Sequence, residues 1–261
     1  MKLSSNLRLI EPKSTISRRV IHLGIVCPMA NEENCVERFT AEVLSYCEGF
    51  RAVSFFPVLD RVSNDKTLDL LSKISARDPR IKVIWAPDNR CVVDAYVRGY
   101  REALLADCDW ILEIDAGYSH QPFDLPKFFE KMEMGYDCVF GTRFSQNGAI
   151  KNSSIVRYFI SRAGGLLTNF LLGTRLSDMT SGFEAFTSNA LQHVLRQKIN
   201  SKGHFFQTEI KTYCRNLKTA EVPIYYCSAS PSVTWKVIKD ALGNLLRLFV
   251  ARIRGELKGG K

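Results

Sequence analysis

The chain has 261 residues, 46% hydrophobic and 24% charged, which suits one large water-facing domain with a substantial core. Its net charge of +9 is uneven: seven Lys/Arg against Asp240 and Glu256 put +5 in the last 27 residues, from Trp235 to Lys261. A concentrated basic tail favours an anionic surface, such as a membrane leaflet or phosphate groups, and argues against a nucleic-acid binder with widely spread charge.

Residues 1–20 form a basic extension (Lys2, Arg8, Lys13, Arg18, Arg19) without an apolar h-region, so no signal peptide is expected. No run reaches the roughly 18–20 apolar residues that span a bilayer. The expected location is cytoplasmic, peripheral at the cytoplasmic membrane face. Cys27, Cys35, Cys47, Cys91, Cys108, Cys138, Cys214 and Cys227 form no C-x-x-C pair and read as small hydrophobes in a reducing compartment.

From residue 21, short apolar runs alternate with helical patterns. Strands are predicted at His22–Cys27, Ala52–Leu59, Arg80–Trp85, Trp110–Asp115 and Asp137–Gly141. Helices are predicted between them, from Asn31 to Cys47, Lys66 to Ser75, Val93 to Ala106 and Leu125 to Met134. Pro57 makes the second strand irregular or an edge. This alternation predicts an α/β fold with a mostly parallel sheet, whose ligand site lies at the C-terminal strand ends. Asp60 and Asp115 both fall there. Beyond Gly141 the pattern gives a helix from Ile155 to Leu172, a short strand over Phe183–Phe186 and a helix capped by Thr187 or Ser188. A helix from His204 to Arg215, a strand over Lys218–Tyr226 and an amphipathic helix from Val233 follow. One domain is expected over residues 21–230, divided near 141/142, with an amphipathic basic helix over 231–261.

The segment Glu113-Ile-Asp115-Ala-Gly117-Tyr-Ser-His120-Gln-Pro122 carries the chemistry. A strand delivers Asp115 to its C-terminal end. In nucleotide-sugar enzymes two carboxylates, Asp-x-Asp, share a divalent cation with the diphosphate of the sugar donor. Here the second position is Gly117.

Seven segments in order carry a family resemblance: Pro28-Met-Ala-Asn-Glu-Glu33, Ser63-Asn-Asp65-Lys-Thr67, Asp115 to Pro122, Gly141-Thr-Arg143-Phe, Ser177-Asp178-Met-Thr-Ser-Gly182-Phe, Lys202-Gly-His-Phe-Phe-Gln207-Thr-Glu209 and Glu221-Val-Pro223-Ile. Over roughly residues 21 to 250 the chain resembles inverting family 2 glycosyltransferases of the GT-A fold. Within them it is most similar to the dolichol-phosphate (polyprenyl-phosphate) mannosyl and glucosyl transferases. The resemblance implies a single GT-A domain with a sugar-donor half (21–141) and an acceptor half (142–230), a GDP- or UDP-sugar donor and a lipid phosphate acceptor. Divalent Mg or Mn is the implied cofactor. Pro28, Ala30 and Glu32 would wall the base and ribose, with Ala116 also on the donor side, and Asp60 would hydrogen-bond the base or ribose. Asp115 would contact ribose or metal, and Arg143 the donor diphosphate or the acceptor phosphate. Asp178, Gln207 and Glu209 would lie near sugar and acceptor, Asp178 serving as base only for a hydroxyl acceptor. Asp178 also suits an Asx-turn, and His120 a structural hydrogen bond.

Four departures fall on the sugar-donor side. The usual second aspartate after the second strand is Arg61, the usual G-K-G reads Cys91-Val-Val93, the second metal aspartate is Gly117, and Cys227-Ser-Ala-Ser-Pro-Ser232 replaces a basic stretch. Arg61 supplies positive charge in place of a cation, or is a solvated surface residue. Two further readings stay open: a non-catalytic or altered-donor relative, and a transferase using a soluble saccharide. A polyprenyl phosphate acceptor needs no strong base, because its second pKa near 6 leaves it an oxyanion at neutral pH. The C-terminal helix reads as interfacial, as a cap on the sheet, or as both.

Overall fold

The computed structural model describes residues 16–150, 155–227 and 235–257; side chains of 155–161, 236 and 237 lie outside the description. Most of the N-terminal extension, the stretch from Ser228 to Val233, and Lys258 and Lys261 of the basic tail therefore fall outside the described residues.

The chain folds as β1 (His22–Pro28), α1 (Val36–Tyr46), β2 (Ala52–Leu59), α2 (Thr67–Ser75), β3 (Ile84–Trp85), α3 (Val92–Leu105), β4 (Trp110–Glu113), α4 (Leu125–Glu133) and β5 (Cys138–Thr142). Then come β6 (Ala149–Ile150), α5 (Ile155–Leu172), β7 (Glu184–Thr187), α6 (Ser188–Leu195), α7 (Phe205–Tyr213), β8 (Thr219–Pro223), β9 (Tyr225–Tyr226) and α8 (Trp235–Ile253). Seven strands form one sheet in the order β3-β2-β1-β4-β7-β5-β8, and β6 pairs with β9 beside it. All neighbouring pairs of the large sheet are parallel except those of β7, which runs antiparallel to both β4 and β5.

Alternation along the strands splits the core into two layers. Leu23, Ile25 and Cys27 of β1, Phe55 and Leu59 of β2 and Leu112 of β4 pack with Phe39 and Val43 of α1, Leu71 of α2 and Phe128 and Phe129 of α4. Val26, Phe56, Val58 and Ile111 face the opposite way, onto Tyr96 and Tyr100 of α3, Leu191 of α6, Ile210 of α7 and Leu248 of α8. Period-two patterning on strands buried from both sides produces this three-layer arrangement. Helix α3 crosses β1 so closely that a Cβ on Gly99 would lie 2.3 Å from a Val26 methyl, a clash only glycine avoids.

Two boundaries differ from the sequence pattern for clear reasons. The third strand is shorter than Arg80–Trp85. Phe55 both donates to Arg80 O and accepts from Lys82 N, so the backbone polar groups of alternate residues of β2 face β3. Two residues on, Pro57 has no N–H to offer, and the ladder resumes only at Val58↔Ile84. Helix α1 starts at Val36 rather than Asn31, because Glu32 N donates to Thr67 Oγ1 and Asn31 is left-handed at φ 61°.

Candidate functional site

The C-terminal ends of β1, β2 and β4 lie side by side, and their loops are laced together. Asn31 Nδ2 donates to Val62 O (3.1 Å) and its Oδ1 accepts from Asn64 N (3.0 Å). Glu33 N donates to Asp65 Oδ2 (3.0 Å), and the Glu33 carboxylate accepts from Lys66 N (3.1 Å). These bonds hold Pro28, Ala30 and Glu32 against the loop that begins at Asp60. Asp60 Oδ1 accepts from Val62 N (2.9 Å), closing that turn with Arg61 exposed on it. The residues expected to hold base and ribose therefore share one rim.

Asp115 stands one residue beyond Ile114, whose N–H bonds Val26 O at 3.1 Å. Its side chain is 36% exposed and reaches the open edge. Its Oδ1 accepts from the Tyr96 hydroxyl, whose pKa is pushed well up by burial and then by the Asp115 charge, so the phenol keeps its proton. His120 Nδ1 accepts from Asp115 N–H (3.0 Å), which places the ring proton on Nε2. The imidazole is buried, stacked on Phe183 (5.0 Å) and beside Tyr226 (5.4 Å), and burial lowers its pKa below the usual value. It is a neutral prop that fixes the backbone at Asp115.

Ala116 is buried, and Gly117 follows with φ +66°. A Cβ there would sit 2.9 and 3.0 Å from the two Glu32 carboxylate oxygens. Glu32 borders the place a second aspartate would occupy, and burial raises its pKa. Among the described residues no group of three His, Cys, Asp or Glu side chains is set to hold a metal. The donor set therefore suits a cation carried mainly by a diphosphate and touched by Asp115, not one caged by the protein. Gly117→Asp is expected to lower stability by about 1–2 kcal/mol through its left-handed backbone, with further repulsion from Glu32, and to gain no tight Mn²⁺ site. Urea melts and Mn²⁺ titration followed by electron paramagnetic resonance check this; micromolar binding at unchanged stability would contradict it.

On the other side of β4, β5 ends at Thr142 and projects Arg143. Arg143 Nε and Nη2 donate to Asp178 Oδ2 and Oδ1 (2.7 and 2.9 Å), its backbone N–H donates to Oδ2 (3.1 Å), and Nη2 also reaches Thr180 Oγ1 (2.6 Å). Asp178 is buried, which alone would raise its pKa, but the Arg143 guanidinium overrides burial and holds the carboxyl well below the ordinary range. Asp178 Oδ1 also accepts from Thr180 N (3.1 Å), so the Asx-turn and the ion pair coexist. A carboxylate this stabilised is a poor proton acceptor. The Arg143 guanidinium lies 5.4 Å from the Tyr226 and Phe144 ring centres, and Arg162 of α5 lies 5.8 Å from the same Phe144 ring.

The remaining expected site residues divide. Gln207 is nearly buried, close to Gly182 and Glu113, with Oε1 unpaired. The Glu209 carboxylate does not face an open site: it is buried and accepts from Asn200 N, Ser201 N (2.9 Å), Tyr213 Oη (3.0 Å) and Arg247 Nη2, tying α7 to α8. A carboxylate with four donors serves packing. Tyr96, Tyr226, Glu113, Glu184 and Lys211 were not singled out from sequence; Glu113 and Glu184 left a signal, a charge inside the apolar strands Trp110-Ile-Leu-Glu-Ile and Phe183-Glu-Ala-Phe.

The pattern of glycosyl transferase family 2 matches residues 24–195. The chain is 31% identical over 195 residues to an undecaprenyl-phosphate mannosyltransferase of Micrococcus luteus, covering 73% of this chain and 80% of that one. It is 26% identical over 205 residues to a polyprenol monophosphomannose synthase of Mycolicibacterium smegmatis, covering 77% and 76%. Its fold is similar to that of glucosyl-3-phosphoglycerate synthase from Mycobacterium tuberculosis, a GT-A structure solved with UDP and, separately, with Mn²⁺, UDP-glucose and phosphoglyceric acid. Each of these superposes with a TM-score of 0.63 at 16% identity, covering 88% of this chain and 80% of the other. The α/β sheet, the laced strand-end loops and the Asp115 and Arg143 segments thus sit in a recognised family: the chain belongs to glycosyl transferase family 2 and is a nucleotide-sugar-dependent glycosyltransferase.

Proposed function

We propose that this glycosyltransferase moves a hexose from a GDP- or UDP-sugar to a polyprenyl phosphate, with inversion, while seated on a membrane surface at its cytoplasmic face. The carrying observation is Arg143, held rigidly by Asp178 at the strand ends. A pre-oriented guanidinium of this kind meets a phosphate through the N–H groups that Asp178 and Thr180 leave over, without first having to be ordered. The mannosyltransferase relatives named above support the acceptor class.

The chemistry then asks little of a base. The acceptor oxyanion attacks the anomeric carbon from the face opposite the nucleotide; the new C–O bond forms as the bond to the diphosphate breaks, and the nucleoside diphosphate leaves with the electron pair. No proton need be removed near neutral pH, because the second phosphate pKa is about 6. This fits a site whose Asp178 is locked in an ion pair and whose His120 is a neutral prop. Arg143 aligns and screens the acceptor phosphate, Asp115 positions the sugar-donor side, and Glu32 and Asp60 frame base and ribose. A divalent cation of the kind crystallised with the mycobacterial neighbours would stabilise the departing diphosphate, with Asp115 as its protein contact.

The membrane part rests on two helices. No described helix is long and apolar enough to cross a bilayer. Yet α5 and α8 pack together, with Leu166, Leu167 and Phe170 of α5 and Leu242, Leu246 and Ile253 of α8 exposed. Arg252 Nη1 donates to Phe170 O and Leu171 O (both 2.8 Å), and Leu248 is buried, so α8 both caps the domain and offers an outer apolar face. The test is labelled GDP-mannose or UDP-glucose with undecaprenyl phosphate on anionic vesicles. Labelled lipid is the expected product, and a joint Phe170→Ser and Leu246→Ser variant should lose vesicle binding. High salt should weaken binding too, since the Debye length falls to about 3 Å at 1 M. Transfer only to soluble sugars, or no transfer with any donor, would overturn the proposal.

A further inference from the structure

A buried ionic cluster lies directly behind the acceptor side, and none of the chemistry above uses it. Glu113 of β4 and Glu184 of β7 face each other in register on antiparallel strands, and both are fully buried. Glu113 accepts from the Tyr100 hydroxyl. One cation enters from α7: the Lys211 ammonium, also fully buried, lies 3.0 Å from Glu184 Oε1 and 5.4 Å from the Phe140 ring centre. The same ammonium donates to two backbone carbonyls, Asp178 O at 3.0 Å and Ser181 O at 2.8 Å. One turn earlier, Thr208 Oγ1 donates to Met179 O at 2.9 Å. Three carbonyls of the loop that presents Asp178 are thus captured by two side chains of one helix.

We propose that Lys211 is a positioning residue for the acceptor phosphate. By pinning the carbonyls of Asp178 and Ser181 it fixes the Asp178 carboxylate, and through it the Arg143 guanidinium. This rests on Arg143 binding a lipid phosphate, as proposed above. An ammonium is costly to bury, so neutralising Glu184 alone would be poor use of it: an apolar residue paired with glutamine would meet that need at lower desolvation cost. The two carbonyl bonds are what a neutral pair cannot supply. Just before Asp178 the loop is staked independently, Ser177 N and Oγ donating to Glu221 Oε1 at 2.8 and 2.7 Å. Loss of Lys211 therefore loosens the stretch from Asp178 to Ser181 without freeing the whole segment.

The discriminating comparison is between wild type, Lys211→Met and the double variant Glu184→Gln with Lys211→Met. The double variant removes both charges and should recover most of the melting temperature that Lys211→Met alone loses. If Lys211 positions Arg143, the double variant still binds farnesyl phosphate, a water-soluble prenyl phosphate, more weakly by about tenfold or more, with nucleoside diphosphate affinity unchanged, both by calorimetry. The Arg143 Nε–H signal in ¹⁵N spectra should also exchange faster with solvent than in wild type. Wild-type-like prenyl phosphate binding and Arg143 exchange in the double variant would reduce Lys211 to charge compensation and overturn the proposal, as would equal losses for both ligands. Wild type that binds nucleotide but no prenyl phosphate would instead sink the acceptor reading, while the Arg143 exchange comparison would still judge the Lys211–Asp178–Arg143 linkage.

Discussion

Arg143→Ala should eliminate transfer and destabilise the fold together. The substitution leaves Asp178 buried without its cation, and breaking a buried pair from one side costs about 3–5 kcal/mol. If Arg143 holds the acceptor phosphate as proposed, loss of the guanidinium should lower kcat/KM by about 10³-fold or more. The pH dependence separates this from general damage. In the wild type the Asp178 carboxyl is held below its unfolded value of about 3.9, so its contribution is present above that pH and fades as the pH falls through the folded value. In the variant, burial without Arg143 raises the same pKa, and stability should improve on mild acidification. Melting temperatures at pH 7 and pH 5 for both proteins give the comparison. A variant that melts like the wild type at both would mean the pair holds nothing in place.

Asp115→Asn is the second large expected effect, and it should fall on activity alone. Asn Oδ1 can still accept from the buried Tyr96 hydroxyl, and the backbone N–H to His120 is untouched. Only the charge goes. A charge-assisted contact to ribose or cation at the strand end is worth about 10²–10³-fold in turnover. Asp115→Ala is a less clean probe, since it strands the Tyr96 O–H in the core at a cost of about 1–3 kcal/mol. Steady-state kinetics with thermal melts decide it: near-normal kcat for the Asn variant would remove Asp115 from the reaction.

The strand and helix succession was legible because β1, β2, β4 and β5 are apolar runs separated by amphipathic helices. Position within the sheet was not. Glu184–Thr187 carries the same four-residue signature as a parallel strand, and nothing local says that it inserts antiparallel between β4 and β5. The two-residue strands β6 and β9 are too short to carry any period. At the site, Asp115, Arg143 and Asp178 announced themselves by motif, but their supports did not. Tyr96 reads as one more apolar position on α3, and Lys211 as a solvated lysine, because their partners lie tens of residues away. Glu209 misled in the opposite sense: a carboxylate in a matching motif looks available until Asn200, Ser201, Tyr213 and Arg247 are seen to have taken it.

The place of β7 also bears on how the protein is made. Strand β5 touches only β7 and β8 within the sheet, and both come after it in the chain. On a ribosome, the first four strands can pair as soon as each emerges, since β1, β2, β3 and β4 neighbour one another. Strand β5 emerges next and has nothing to join until residue 187 has left the exit tunnel. An unpaired apolar strand waiting that long is an aggregation hazard. The strand end that bears Arg143 is therefore seated late, after β1 to β4 have paired, and nascent chains stalled between the two events would carry the Asp60 and Asp115 rim formed with the Arg143 side still open.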